Sequence, residues 1–238
     1  MSEQTPPMRR RERLRAETVR EIKAIALAQL ADAGPGAISL RGIAREMGMT
    51  PRALYSYFAT RDDLITALTG GIAASLAVAV EAARDAVPAG DTGGRLLAWA
   101  LAMREWSLAN PEGFRLFYGD PVPGYQPPED GPVEAASRRI CGGLTHLVAD
   151  AWPRAAPLQP QEVTWADFPS PFLAKVQDGD GEVPPGAAAL ALRVWGRMHG
   201  LLTLEIHGHL RAVTHHPAAL YRADMLDLIR SLGLTPPG

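Results

Sequence analysis

The chain has 238 residues, 47% hydrophobic and 21% charged, with a formal net charge of −2. Apolar content on that scale supports a real core, with room for a small domain beside a larger one. A single cysteine, Cys141, excludes an internal disulfide, suits a reducing cytoplasmic compartment and reads as an inert buried thiol. The N-terminus is polar and basic with no apolar run behind it, which argues against a signal peptide.

Charge divides unevenly along the chain. Residues 1–61 hold 11 Lys and Arg against 6 Asp and Glu, whereas the remainder holds 13 against 20. Only the N-terminal part is matched to a polyanion. Much of its positive charge lies in MRRRERLR, residues 8–15. Residues 1–14 therefore read as a flexible basic arm, able to follow phosphates or enter a minor groove, or else as a solubilising tail.

The stretch ISLRGIAREMGMTPRALYSYF, residues 38–58, spells two short helices joined by a tight turn. Ser39 is a good N-cap, and Leu40, Ile43, Ala44 and Met47 then recur as one apolar stripe of helical period. Gly48 suits the left-handed residue that closes a helix, and Thr50 with Pro51 opens the next one. In that second helix Leu54 and Phe58 share a face, while Arg52, Ala53, Ser56 and Tyr57 turn away from it. So small a buried face cannot fold alone; it must pack on the preceding helix, leaving a short basic face free to enter a major groove.

Beyond residue 65 the pattern is helical, broken by Pro and Gly, with almost no strand signal. Helices are expected near residues 61–86, 92–109, 111–118, 132–151, 186–211 and 217–232. Asn110 and Pro111 mark a start, as N-cap and first helical residue. No stretch reaches the roughly 18 uncharged apolar residues of a membrane span. The nearest, residues 64–83, contains two glycines and Glu81 and reads as a long helix linking the domains. Residues 119–131 and 153–171 carry many prolines and read as loops, the second with a short turn near Trp165; loops this long are either functional lids or mobile.

The segment from about residue 15 to 65 resembles the DNA-binding domain of the TetR family of bacterial transcriptional regulators, through IAREMG, LYSYF and the TRDDL that follows. The resemblance implies an all-α fold: a helix-turn-helix domain over residues 15–61 and a larger effector-binding and dimerisation domain over 62–238. It also implies a DNA-contacting set of Ser39, Arg41, Arg45, Thr50, Pro51, Arg52, Ala53, Tyr55, Tyr57 and Arg61. Arg41 matches a base-reading position, where an arginine can hold guanine through two bonds. Arg61 matches a position usually held by lysine, and Tyr55 reads equally well as a core residue. Further on, WGRMHG at residues 195–200 resembles the Trp-His-Gly signature of one C-terminal subtype.

Large aromatic and methionine side chains suit the wall of an apolar cavity. Trp99, Met103 and Trp106 on one helix, Phe114, Phe117 and Tyr118 on the next, and Trp195, Met198, His199 and Leu202 on a later one are the candidate effector contacts, though any of them reads also as plain core. The histidines do not assemble a metal site, since only Glu205 and His209 share a helical face and no CxxC or HExxH occurs. No cofactor is expected. Leu201, Leu204, Ile206, Leu220, Met225, Leu228, Ile229 and Leu232 read as apolar faces of a homodimeric four-helix bundle. The resulting expectation is a cytoplasmic repressor on a palindromic double-stranded DNA operator, released by a small effector. A helical enzyme using the aromatic cavity and an effector-independent DNA-binding dimer are the alternatives.

Overall fold

In the computed structural model, which describes residues 10–159, 163–176 and 183–237, helix α1 (Arg10–Ala33) buries Ile22, Ala26 and Leu30, one per turn of a single face. The expected arm is therefore helical from Arg10 onward, with Glu12 at the favourable, positive end of the helix dipole. Residues 1–9, including Met8 and Arg9 of the basic stretch, lie outside the described residues. Helix α2 (Leu40–Glu46) and the five-residue α3 (Pro51–Tyr55) follow. Both caps form: the Ser39 hydroxyl accepts from the Gly42 amide at 3.3 Å, and the Thr50 hydroxyl from the Ala53 amide at 3.2 Å. Gly48 turns the chain with φ +65, a conformation that costs other residues strain.

Helix α4 (Arg61–Asp85) opens with a reciprocal cap, in which the Asp63 carboxylate accepts from the Thr60 amide at 2.9 Å and the Thr60 hydroxyl from the Asp63 amide at 3.0 Å. By length and hydropathy α4 alone among the described helices is apolar enough to cross a membrane, yet half of its apolar window is buried inside the fold. It packs along α5 (Thr92–Ala109) and α7 (Pro132–Ala155), its main partners. Gly143 of α7 makes room for the Trp99 indole, since a Cβ there would lie 2.7 Å from the ring.

Helix α6 (Pro111–Tyr118) lies between the two domains. Phe114 joins the C-terminal core, while Leu116 joins the N-terminal core of Ile22, Ile43, Leu54 and Leu64. The loop after it is tied down, with Val122 buried in that same N-terminal core and the Tyr125 hydroxyl 3.0 Å from the Thr66 hydroxyl. Asn110 does not cap α6 through its side chain; its amide instead donates to the Trp106 carbonyl at 2.8 Å and closes α5.

Helix α7 runs through Pro153, which falls in its last turn, so the expected loop at 153–171 is shorter than its prolines suggest. A short turn does form at Trp165–Asp167, and α8 (Ser170–Val176) is an additional helix. Helix α9 (Pro185–Ile206) stops before the expected residue 211, because Gly208 adopts φ +77. Helix α10 (Pro217–Ser231) packs on α5 and α9.

Glu205 of α9 receives both prongs of Arg104 of α5 at 2.8 and 2.5 Å, with each side chain only 13% exposed. Removing one partner leaves the other's charge away from water. Arg104→Leu should lower unfolding free energy by about 3 kcal/mol, and pairing it with Glu205→Leu should restore most of that, as read by urea denaturation.

Candidate nucleic-acid interface and apolar cavity

Burial of Leu54 and Phe58 fixes which way α3 faces. Ser39, Arg41 and Arg45 at and along α2, and Thr50, Pro51, Arg52 and Tyr55 at and along α3, are exposed, whereas Ala53 and Tyr57 are half-buried. No hydrogen bond or ion pair among the described residues ties the Arg41, Arg45 or Arg52 guanidinium to a neighbour. Three cations are thus presented to solvent from α2 and α3.

Arg15, the first residue of the expected DNA-binding domain, holds the end of α3. Its guanidinium donates to the Ser56 carbonyl at 3.0 Å and lies 4.7 Å over the Tyr57 ring. Arg61 differs from the phosphate-binding expectation in one respect: its Nε donates to the Ile38 carbonyl at 3.0 Å, tying the start of α4 to the entry of α2. Lys23 spans α1 and α4 by donating to the Ala67 carbonyl at 2.8 Å, and burial pulls its ammonium below the ordinary lysine value.

The ten aromatic and methionine candidates for an effector wall do not act together. Trp99, Met103, Phe114, Met198 and Leu202 are buried and belong to the C-terminal core. Trp106 is half-buried against that core and donates through its indole N–H to the Ser75 hydroxyl at 3.0 Å. The remaining four form an aromatic cluster. Tyr118 meets Phe117 edge-on at 4.5 Å and His199 at 4.6 Å between ring centroids, and Trp195 lies 4.6 Å from His199.

An apolar cavity of about 210 Å³ opens beside this cluster, between α7, α8 and α9. Its wall includes Cys141, Leu144 and Thr145 of α7, Lys175 of α8, and Leu192 and Trp195 of α9, so Trp195 is the one expected residue on it. The sequence carries no signal for this pocket, because most of α8 falls at the end of or beyond the expected loop at 153–171 and no α7 residue other than Cys141 stands out from its helical pattern. Cys141 is half-buried on the wall, and burial pushes its thiol up, which keeps it protonated.

Within the aromatic cluster the Tyr118 hydroxyl and His199 Nε2 are buried with no hydrogen-bond partner among the described residues. Burial, and secondarily Cys141, raises the Tyr118 hydroxyl well above the ordinary tyrosine value. His199 Nδ1 lies 3.0 Å from the Trp195 carbonyl. A carbonyl can only accept, so the proton sits on Nδ1 and Nε2 presents a bare lone pair. Among the described residues there is no group of three or more His, Cys, Asp or Glu side chains able to hold a metal ion.

Comparison with known proteins settles the family. A profile for bacterial regulatory proteins of the tetR family matches residues 22–68, and one for a tetracyclin repressor-like C-terminal domain matches residues 96–228. The chain is 32% identical over 202 residues to the HTH-type transcriptional regulator Rv1816 of Mycobacterium tuberculosis, covering 83% of this chain and 80% of that one. The chain belongs to the TetR family of bacterial transcriptional regulators. It is therefore a DNA-binding regulator, and its relatives are regulators rather than enzymes. Among solved TetR-like structures, the regulatory protein SCO4313 superposes with a TM-score of 0.71 at 32% identity, over 95% of this chain and all of that one. A tetR-family regulatory protein from Rhodococcus RHA1 shares the fold, with a TM-score of 0.63 at 19% identity over 92% of this chain and 98% of that one.

Burial pulls His199 down to about 4, despite the opposing bond to Trp195. The unfolded chain then binds this proton more readily than the folded one. Stability contributed by the neutral imidazole is complete above about pH 6.5 and lost as pH falls toward 4. The expected loss is on the order of 2–3 kcal/mol. His199→Phe should flatten that part of the pH–stability curve, as measured by thermal unfolding between pH 4 and 7.

Proposed function

We propose that this TetR-family protein is a homodimeric repressor, working in the cytoplasm, that a small apolar effector releases from a palindromic DNA operator. The observation that carries the effector part of the reading is the position of α6, whose Phe114 packs in the C-terminal core and whose Leu116 packs in the N-terminal one. A ligand that shifts α6 must therefore also disturb the packing beneath α2 and α3. Operator affinity falls by the ratio of effector affinities for the two dimer conformations.

On the DNA side, Arg41, Arg45 and Arg52 are the groups assigned to base edges and phosphates, with Ser39, Thr50, Pro51, Ala53, Tyr55 and Tyr57 around them. Arg61 is assigned first to its bond with Ile38 and only through its outer edge to phosphate. Several such contacts make binding strongly salt-dependent through counterion release. On the effector side, Trp195, Tyr118 and His199 beside the cavity replace the wider aromatic set.

The dimer face is narrower than its sequence pattern. Ile206, Met225, Leu228, Ile229 and Leu232 are buried within the protomer and are not available to a partner. The apolar side chains left exposed on α9 and α10 include Leu192 (43%), Leu204 (41%) and Leu220 (42%). Between Leu192 and Leu204, a Cβ on Gly196 or Gly200 would meet nothing within 4 Å, which permits close approach of a second helix. Two copies joined there present paired α3 helices to successive turns of DNA.

Arg52→Ala should reduce discrimination between operator and unrelated sequence by about 1–3 kcal/mol in a mobility-shift assay. Uniform weakening on every sequence would assign Arg52 to phosphate alone. Leu204→Asp should convert the dimer to a folded monomer in sedimentation velocity and abolish tight operator binding, because half an operator loses the second recognition helix. Selection of bound fragments from random DNA tests the whole reading, which requires a symmetric motif.

A further inference from the structure

The apolar cavity between α7, α8 and α9 has a single charged side chain on its wall among the described residues, that of Lys175. The rest of the wall is apolar or neutral, including the Trp195 and Phe172 rings and the Cys141 thiol. Close packing of the backbone sets where Lys175 stands. A Cβ on Gly142 of α7 would lie 3.0 Å from the Lys175 carbonyl oxygen, so α8 rests directly on α7 one residue from Cys141. Thr145, 3% exposed and one turn beyond Cys141 on the same face of α7, adds a hydroxyl to the wall that no hydrogen bond among the described residues engages.

A cation bordering apolar space is costly unless an anion meets it. Glu134 meets Lys175 only in part. The Lys175 Nζ lies 3.3 Å from Glu134 Oε2, but Glu134 is not on the cavity wall, and its other oxygen lies 3.9 Å from Arg138 Nε. One carboxylate is thus shared by two cations, while an ammonium carries three donors. Toward the cavity the positive charge prevails, since at the Cys141 thiol the downward effect of Lys175 exceeds the upward effect of Glu134.

Resting on the effector reading above, we infer that the effector is a small monocarboxylate whose aryl or alkyl body fills the α7–α8–α9 cavity and whose carboxylate pairs with Lys175 at the cavity's edge. A volume of about 210 Å³ suits a benzene ring with a short alkyl substituent, since about 150 Å³ already holds benzene itself. A bond between ammonium and carboxylate is roughly twice as strong as one between neutral groups, so the acid gains what its amide does not. A ligand with an ammonium head meets Lys175 as a like charge. Glu134 keeps Arg138 when Lys175 is shared with the ligand.

4-Isopropylbenzoate, its neutral isostere 4-isopropylbenzamide and the cation 4-isopropylbenzylamine are the probes. By isothermal titration calorimetry at neutral pH and low salt, the full-length protein should bind the benzoate at least tenfold more tightly than the amide, and the amine no better than the amide. Lys175→Met leaves an apolar stem on the wall and should shrink the benzoate preference to below about threefold with amide affinity unchanged, which also shows that the variant folds. Glu134→Gln removes the competing carboxylate and should raise benzoate affinity by about threefold or more. A preference under tenfold, binding of neither probe, an amine that binds better than the amide, a preference that survives Lys175→Met, or a benzoate affinity that does not rise in Glu134→Gln would overturn the inference. The underlying reading fails separately. Benzoate that binds with the expected preference yet leaves the operator complex intact would refute effector release, whereas release by compounds whose binding is indifferent to Lys175→Met would refute only the assignment of Lys175.

Discussion

Helix α3 has five residues and no core of its own, so the surface proposed to read DNA depends on Leu54 being driven into the N-terminal core. Leu54 is fully buried among side chains of α1, α2 and α4, and Phe58 follows it into the same cluster. Burying two such side chains contributes about 4 kcal/mol, more than a five-residue helix recovers from its own backbone bonds. The orientation of Arg52, Thr50 and Tyr55 is a by-product of that burial. Arg15 and the Arg61–Ile38 bond then fix the rim of the same unit from α1 and α4.

The same N-terminal core is not closed by the N-terminal helices alone. Leu116 and Val122, from the far side of the long α4, complete it, and the Tyr125–Thr66 hydroxyl pair anchors the loop that carries Val122. The two domains thus share packing as well as a helix. Close-packed interiors transmit strain because a displaced side chain has nowhere to go. Movement of α6 at Phe117 and Tyr118 is consequently felt at Leu116, within the cluster that seats Leu54.

Legibility in the sequence followed how local each feature is. The caps at Ser39 and Thr50, the left-handed Gly48 and the starts of α5, α6 and α10 are set by residues within four positions of one another, and the chain states them directly. Where a long-range contact decided, the reading drifted. Pro153 looked like a breaker, yet α7 continues to Ala155 because Ala151 and Ala155 are buried. Met225, Leu228 and Ile229 looked like surplus apolar surface, yet α5 and α9 cover them. A helical stripe states that a face is buried, not what buries it.

By itself the sequence determined the all-helical class, the helix-turn-helix and the separation of a basic N-terminal region from an acidic remainder, since these follow from periodicity, caps and composition. Tertiary structure decided which aromatic residues are core and which border a cavity, and which exposed face remains for a partner. The physical reason is that burial is a property of neighbours far along the chain. Trp99 and Trp195 are the same residue type on comparable helical stripes, but Gly143 opens a slot for one while the other lines a cavity and stays 41% exposed.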